Sequence, residues 1–261
     1  MNTLTDSTHA RATTILQQRL NESVSVEPDD LDRHGYDGLK IAFQADAVIR
    51  PSNESEVGTV LELANVFEVP VTTRGAGSTL TGSATPKYGG WVLDLSGMDT
   101  FEIDPISNFC HAQAGAVVGR IQDAALEQNR FYPPDPSSLK WCTIGGNIAC
   151  NAGGLRCVKY GVTRDYVVAL GGFLPTGEPV QFGRDLKKFA SGYNLRDLWV
   201  GSEGMLGVIT RATLKLIPAP RDRRTFLASF QTERSVLESV QALLEDGRVQ
   251  PSILEFLDRL S

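Results

Sequence analysis

The spacing of apolar residues predicts a chain that contains both helices and strands. Apolar positions at helical spacing predict a helix over residues 53–68, where Asn53 and Glu56 form a candidate capping box. Helical spacing recurs in three more segments, at residues 8–20, about 117–129 and 233–245. Shorter apolar runs separate these four predicted helices along the chain, so a purely helical fold is excluded.

The shorter apolar runs predict β-strands. They lie at residues 69–73, 91–95, 109–114, 166–174, 180–182 and 225–230, while residues 253–257 fit either a strand or a helix. The turn at Pro175–Glu178 joins two of these runs into a predicted hairpin. Residues 208–216 alternate: one side of the strand carries Val208, Thr210, Ala212, Leu214 and Leu216, and the other carries Arg211, Thr213 and Lys215.

Size and charge narrow the class of protein. The 261 residues suffice for one large or two modest domains, and the net charge of −6 offers no basic surface for nucleic acid or an anionic membrane. The chain has no run of 18 apolar residues and no signal-like N-terminus. We expect a cytoplasmic protein without a transmembrane segment, or one peripheral to the membrane through partner subunits. Arg11 and Arg19 leave a mitochondrial presequence as the alternative.

The four cysteines do not predict a metal site. No two of them form a C-x-x-C pair, and their spacing fits no standard zinc site. We expect reduced thiols packed as small hydrophobic groups, and no metal.

A glycine-dense loop, Arg74–Gly82, follows the strand at 69–73. A Rossmann-type loop would open a helix, but Leu80 stands at the third glycine position and Pro86 follows. The loop is therefore expected to bind an anion with its own backbone N–H groups, since glycine permits positive φ and close approach. A plain connecting loop is the alternative.

Two further segments have unusual composition. Residues 131–138 contain three prolines, which exclude a helix or a central strand and predict a rigid loop at the surface or along a cleft. Residues 143–154 combine two Gly-Gly pairs with Asn147 and Asn151. This composition fits either a second segment that approaches a ligand or a small-residue helix that packs closely on a strand.

The region after residue 224 starts a new unit. Pro218, Pro220 and residues 221–224 suggest a linker, and the strand and helix that follow cannot bury an apolar face alone. A partner domain is therefore expected, and the chain alone is expected to show little or no turnover.

Five motifs in order resemble the FAD-binding domain of the p-cresol methylhydroxylase / vanillyl-alcohol oxidase superfamily, and among its members the FAD-binding subunit of glycolate oxidase and FAD-linked D-lactate dehydrogenases. They are residues 74–78, 133–138, 142–154, 160–165 and 201–209. Any one motif is weak, but five in register are specific, and the resemblance runs from about residue 34 to the end.

The resemblance implies an α+β fold: two subdomains of the FAD-binding PCMH type, followed by the start of a ferredoxin-like cap domain. The implied divisions are an N-terminal helical segment at 1–33, the FAD-binding domain at 34–222 and an incomplete substrate or cap domain at 223–261. The family's cap domain supplies basic and metal-ligating histidines, and residues 225–261 contain no histidine.

The resemblance also assigns the FAD contacts. The pyrophosphate would be wrapped by residues 74–79. The isoalloxazine and ribityl side would be lined by residues 134–154, and the adenine half would be contacted by residues 204–209. The implied cofactor-binding residues are Arg74, Gly75, Ala76, Gly77, Ser78, Thr79, Gly82, Pro134, Asp135, Ser137, Thr143, Gly145, Gly146, Asn147, Asn151, Gly153, Gly154, Tyr160, Glu203, Gly204, Gly207, Val208 and Ile209. Some members attach FAD through a histidine in the first loop, but Ser78 occupies that position here. Non-covalent FAD is therefore expected.

The implied reaction is oxidation of a small 2-hydroxy acid such as glycolate or D-lactate to the 2-oxo acid, with the hydride passing to flavin N5. An electron-transfer or cap-bearing subunit is the expected protein partner. No general base can be named: Glu203 and Asp135 are the acids nearest the motifs, but carboxylates that cap backbone loops are the simpler interpretation. A non-catalytic FAD-binding module, or half of a split enzyme, is the alternative, and a reductase of the peptidoglycan-precursor type ranks third.

Overall fold

The computed structural model describes residues 3–186 and 188–258. Its helices are α1 (Thr3–Leu20), α2 (Pro28–His34), α3 (Glu54–Phe67), α4 (Val118–Glu127), α5 (Ile144–Cys150), α6 (Cys157–Tyr160), α7 (Arg196–Trp199) and α8 (Glu233–Asp246), with 3-10 turns at Asn21–Ser23 and Thr163–Tyr166. Its strands are β1 (Val24–Ser25), β2 (Ala47–Ile49), β3 (Val71–Arg74), β4 (Trp91–Asp94), β5 (Phe101–Asp104), β6 (Phe109–Gln113), β7 (Arg130–Phe131), β8 (Val167–Phe173), β9 (Pro179–Gly183), β10 (Val208–Lys215) and β11 (Ile217–Pro218).

The first subdomain is a four-stranded sheet in the order β1-β2-β4-β3. Strands β2, β4 and β3 are parallel, and β1 pairs antiparallel with β2. Helix α3 connects β2 to β3. As the pattern predicts, Asn53 is its N-cap and accepts from the backbone N–H of Glu56 at 3.1 Å. The Glu56 carboxylate reaches back one residue further than expected, to the backbone N–H of Ser52.

Helix α1 packs against α3 and belongs to the core of the first subdomain. Its Ala12 and Leu16 are fully buried, and the indole N–H of Trp91 in β4 donates to the Thr13 hydroxyl at 2.9 Å. The helix is longer than the segment predicted at 8–20. The boundary proposed at residue 33 stays a prediction.

The second subdomain is an antiparallel five-stranded sheet in the order β5-β6-β10-β8-β9. Apolar residues of α4, α5 and this sheet form its core. The predicted inward residues of β10 are all buried, but so are Ile209 and Thr213 on the side predicted to be polar. The strand pairs on both edges, with β6 and β8, and its register against β8 shifts between Ile209 and Arg211 and again between Thr213 and Leu214.

The predicted strands at 69–73, 91–95, 109–114, 166–174 and 180–182 correspond to β3, β4, β6, β8 and β9. The predicted α+β class with two subdomains is thus confirmed. The prediction of a strand at 225–230 is wrong, because those residues form no regular element. No described strand lies beside them to complete a ladder. Residues 253–257 are likewise neither strand nor helix.

The helix expected at 233–245 is present as α8. Thr232 caps it by accepting from the backbone N–H of Ser235 at 3.2 Å, and Gly247 ends it in the left-handed region at φ 69°. None of its residues is buried. Val236, Val240 and Leu243 are half-buried, whereas Leu237 and Leu244 are exposed, so the apolar face of the helix is only partly covered within the described chain.

Leu16→Ala is expected to lower the free energy of unfolding by about 2–5 kcal/mol, because it leaves a cavity in the core beneath α3. Denaturant unfolding followed by circular dichroism measures the change. Gln18→Ala, an exposed position of the same helix, is the control and should shift stability by less than about 0.5 kcal/mol. Equal stability of both variants would contradict the placement of α1 in the core.

Candidate active site

A cleft separates the two subdomains at the carboxyl ends of β3 and β4, where open α/β sheets bind ligands. Most of its lining residues are small, so the backbone itself forms much of the surface. The lining consists of Thr73, Arg74, Gly75, Ala76, Gly77, Ser78, Thr79, Ser83, Ala84, Leu95, Ala114, Ser138, Cys142, Thr143, Gly145, Gly146, Asn147, Ala149, Cys150, Ala152, Glu203, Gly204, Gly207 and Ile209.

The glycine-rich loop after β3 has no helix behind it, as the sequence predicts. Gly77 adopts φ 63°, which disfavours any residue with a side chain. A Cβ at Gly77 would overlap the guanidinium of Arg74, and a Cβ at Gly75 would overlap the hydroxyl of Thr143. Both glycines are therefore required by contacts within the protein.

The backbone N–H groups of residues 76–79 have no hydrogen-bond acceptor elsewhere in the described chain. Unpaired N–H groups in consecutive residues around a positive-φ position form a concave anion site, with partial positive charge directed into it. Such groups lose stability unless water or a ligand satisfies them. This stretch can therefore hold a phosphate or pyrophosphate.

Arg74 lines the cleft, but its guanidinium forms hydrogen bonds with the backbone around the glycine-rich loop. Its Nη1 donates to the backbone oxygens of Tyr36 at 2.8 Å and Ala84 at 3.0 Å. Burial lowers the pKa of the guanidinium from its ordinary value, and the nearby carboxylates of Asp94 and Asp37 counteract that shift. Arg74 is the one cation among the described lining residues, and its charge is compensated within the protein.

Helix α5 forms the wall opposite the glycine-rich loop. Thr143 is its N-cap, and Gly145 packs so closely on Ala114, at the end of β6, that a Cβ would lie 2.7 Å from the Ala114 side chain. Gly146 and Asn147 line the cleft. Helix α5 is therefore a small-residue helix packed on a strand end, as one interpretation of residues 143–154 predicts. It also borders the cleft, and its approach to a ligand stays a prediction.

Asn147 is the polar side chain of α5 in this wall. It is 4% exposed, and its Nδ2 has no hydrogen-bond partner within the described residues. A buried amide donor without an acceptor is costly. A bound molecule with an acceptor atom at this position would remove the cost.

The loop between α7 and β10 closes the cleft from the third side. Glu203 takes φ 52°, donates its backbone N–H to the Ala149 oxygen at 2.9 Å, and accepts from the Thr81 hydroxyl at 2.8 Å. A Cβ at Gly204 would lie 2.6 Å from the Thr73 hydroxyl. The Glu203 carboxylate thus ties this loop to the glycine-rich loop through a side-chain hydroxyl, whereas the capping interpretation expects a contact with backbone groups.

The cysteines are all free thiols, and two of them line the cleft. Burial raises the pKa of Cys142 and of Cys150, so both remain protonated at neutral pH. The three histidines lie outside the lining, and no group of three metal-ligating side chains occurs within residues 3–186 and 188–258.

Fourteen of the predicted cofactor-binding residues line the cleft: Arg74, Gly75, Ala76, Gly77, Ser78, Thr79, Thr143, Gly145, Gly146, Asn147, Glu203, Gly204, Gly207 and Ile209. The other nine lie outside the lining: Gly82, Pro134, Asp135, Ser137, Asn151, Gly153, Gly154, Tyr160 and Val208. Their assignment stays a prediction. Several of them make contacts within the protein that account for their residue type.

Asp135 forms an ion pair with Arg156, with 2.9 Å between Oδ2 and Nε. A Cβ at Gly154 would overlap the backbone oxygen of Asp135. Asn151 occupies the left-handed position that ends α5, and its Oδ1 accepts from the Arg164 N–H at 2.9 Å. These motif residues position the walls of the cleft from behind.

Five lining residues, Ser138, Cys142, Ala149, Cys150 and Ala152, fall within the predicted range 134–154 without being assigned individually. The other five lie outside every predicted contact: Thr73, Ser83, Ala84, Leu95 and Ala114. Most of them flank or interrupt the predicted motifs. Leu95 and Ala114 immediately follow β4 and β6, so the rule that ligands bind at strand ends could have found them.

Among the helices described here, none combines the length and the apolar character that crossing a membrane requires.

The family described as "FAD binding domain" matches residues 45–183. Glycolate oxidase subunit GlcD of Bacillus subtilis is 41% identical over 215 residues, which cover 82% of this chain and 46% of that protein. D-lactate dehydrogenase of Anaerostipes hadrus is 38% identical over 215 residues, which cover 82% of this chain and 45% of that protein. The chain spans about half the length of the curated relatives it matches.

The solved structure of p-cresol methylhydroxylase with substrate bound superposes with a TM-score of 0.75. It is 21% identical in sequence, and the match covers 91% of this chain and 48% of that one. At this identity the likeness concerns the fold, and it agrees with the superfamily inferred from the five motifs.

Gly77→Ala is expected to weaken FAD binding by at least tenfold, because the new Cβ strains the positive φ and displaces the Arg74 guanidinium. Flavin fluorescence on titration of the apoprotein measures the affinity. Gly97→Ala is the control, since Gly97 has open space for a Cβ and no positive φ. Unchanged affinity in the Gly77 variant would show that the loop does not bind the cofactor.

Proposed function

This chain belongs to the family of FAD-binding domains, and from that premise we propose that it is the FAD-binding part of an oxidoreductase that converts a 2-hydroxy acid to a 2-oxo acid. The cofactor is FAD. The observation that carries the proposal is the cleft lined by unpaired backbone N–H groups, in a chain whose relatives are named glycolate oxidase subunit and D-lactate dehydrogenase. Glycolate and lactate share the 2-hydroxy acid group, so the proposal extends to this class.

The residues present fit FAD. The N–H groups of residues 76–79 are the proposed pyrophosphate site, because they are unpaired and Arg74 keeps them in place. Residues 143–147 are proposed to border the flavin ring, with the unpartnered Nδ2 of Asn147 as a donor. Residues 204–209 are proposed to contact the adenine half.

When bound, FAD supplies flavin N5 as acceptor of the hydride from the substrate α-carbon. The residues of this chain bind and orient. The apolar side chains of Leu95, Ala114 and Ile209 exclude water from part of the cleft. No base for the hydroxyl proton is assigned: Glu203 is engaged with Thr81, and Asp135 with Arg156.

The substrate carboxylate requires a cation, and the described lining does not offer a free one. Arg74 already donates to two backbone oxygens. We therefore propose that residues outside this cleft grip the carboxylate, and that residues 223–261 begin the domain that provides them. The exposed apolar side chains of Phe226 (88%) and Leu227 (93%) support a partner surface there.

The relatives' names also bear on the alternatives. A non-catalytic FAD-binding module is not favoured, since those relatives are named as an oxidase subunit and a dehydrogenase. The word subunit in the first name supports a further protein partner as part of the proposal.

FAD is proposed to bind non-covalently. Ser78 lines the cleft in the loop where some members of the superfamily carry a histidine, and the raised pKa values of Cys142 and Cys150 disfavour reactive thiolates. Acid precipitation of the FAD-loaded protein should release all of the flavin into the supernatant. Yellow colour that remains in the washed pellet would contradict this.

Glycolate or D-lactate is expected to reduce the FAD-loaded chain slowly under anaerobic conditions, whereas acetate and propionate, which lack the hydroxyl group, should not. The reduction should not saturate, and steady-state turnover should be low, because no free cation aligns the carboxylate. Visible flavin absorbance follows the reaction, and dithionite gives the fully reduced end point. The proposed chemistry would be refuted by a chain that dithionite reduces and neither hydroxy acid does.

A further inference from the structure

The segment Gly35–Leu39, here called the buttress segment, touches the glycine-rich loop from behind the cleft. The backbone N–H of Gly38 donates to the Thr79 oxygen at 2.9 Å, and the Tyr36 oxygen accepts from Arg74. None of the five residues of the buttress segment is part of the lining. The segment can therefore shape the loop without contact with a ligand.

Asp37 is the charged residue of the buttress segment, and it is 2% exposed. Its Oδ1 accepts from the Leu39 N–H and its Oδ2 from the Gly82 N–H, each at 2.9 Å. Burial of a carboxylate is unfavourable unless hydrogen bonds and a counter-charge offset it. Here the two N–H donors and the nearby Arg74 guanidinium supply both.

The contact with Gly82 fixes the far end of the glycine-rich loop. Gly82 adopts φ 81°, so its orientation is set by contacts and not by side-chain sterics. Arg74 anchors the start of the loop, and Asp37 anchors the end. The unpaired N–H groups of residues 76–79 lie between these two anchors.

We propose that Asp37 is a positioning residue for dinucleotide binding: through Gly82 it holds the loop in the conformation that presents its N–H groups to the pyrophosphate. This role rests on the proposed FAD site. Asp37 touches no cofactor atom in this account and acts through the backbone of the loop.

Charge alone would change FAD affinity in the opposite direction, so the direction of the change on neutralising Asp37 distinguishes the two effects. A carboxylate close to an anion site repels the anion, so neutralising Asp37 would strengthen FAD binding. If positioning dominates, neutralising Asp37 weakens binding, because one of the two accepting oxygens becomes the NH2 group of Asn, which cannot accept from the N–H group that it faces.

The test compares Asp37→Asn with Asp46→Asn. Asp46 is exposed, unlike Asp37, but it is a control for the type of contact, because its carboxylate also accepts from the N–H of a positive-φ glycine, Gly90, at 3.1 Å. That contact lies at the amino end of β4, opposite the cleft. Affinities for FAD, ADP and riboflavin are measured by calorimetry or fluorescence on each apoprotein.

Asp37→Asn is expected to weaken the binding of FAD and of ADP by about tenfold or more. The binding of riboflavin, which has no phosphate, should weaken by less than about twofold. Asp46→Asn should leave all three affinities unchanged. Gly38→Ala serves as a second variant, since its Cβ would lie 2.7 Å from the Thr79 oxygen and disturb the neighbouring contact between the buttress segment and the loop, Gly38–Thr79, without altering the buried charge. It should show the same selective loss.

Unchanged or tighter FAD binding in Asp37→Asn would overturn the inference, as would an equal loss for riboflavin. If Asp37→Asn does not fold, Gly38→Ala tests whether the buttress segment positions the loop, and unchanged FAD and ADP binding in that variant would overturn the inference. Failure of the wild-type chain to bind FAD would overturn the proposed function instead. In that case, amide exchange at Gly82 in the ligand-free protein still tests the contact: it should be slow in the wild type and faster in Asp37→Asn.

Discussion

The buried guanidinium of Arg74 is the interaction on which the cleft depends. It links the end of β3 to the backbone oxygens of Tyr36 and Ala84, and it occupies the space that a side chain at residue 77 would need. The carboxylates of Asp37 and Asp94 compensate its charge. Hydrogen bonds from His34 and Ser96 outweigh burial and lower the pKa of Asp94, so that counter-charge persists at neutral pH. Because the cation is compensated internally, the attraction for an anion must come from backbone N–H dipoles.

Direct contacts join the two subdomains. At the cleft, Glu203 accepts from the Thr81 hydroxyl, and Gly75 packs on Thr143. Outside the cleft lining, the Glu54 carboxylate at the start of α3 accepts from the Thr210 hydroxyl at 2.6 Å and pairs with Arg211. A cleft braced in this way is formed before a ligand arrives, which reduces the entropy lost on binding.

Local signals in the sequence predict much of this architecture, but long-range contacts escape them. The Asn53 cap of α3 and the positive φ of Gly77 each depend on a few neighbouring residues, so spacing and residue type suffice to predict them. The Asp37–Gly82 contact joins residues 45 positions apart, and no local pattern marks it. Asn151 and Asp135 lie in motifs that predict cofactor contact, whereas their side chains bind Arg164 and Arg156. The prediction of a strand at 225–230 was wrong because strand propensity alone supplies no pairing partner.

The central claim is that backbone N–H groups of the glycine-rich loop hold the pyrophosphate of FAD in the cleft between the subdomains. Nuclear magnetic resonance of the 15N-labelled chain, titrated with FAD and separately with ADP, tests it most directly. Both ligands should give their largest amide shifts at residues 76–79, and FAD alone should also shift residues 144–147. Largest shifts on the outer face of the five-stranded sheet, around His111, with residues 76–79 unchanged, would contradict the account.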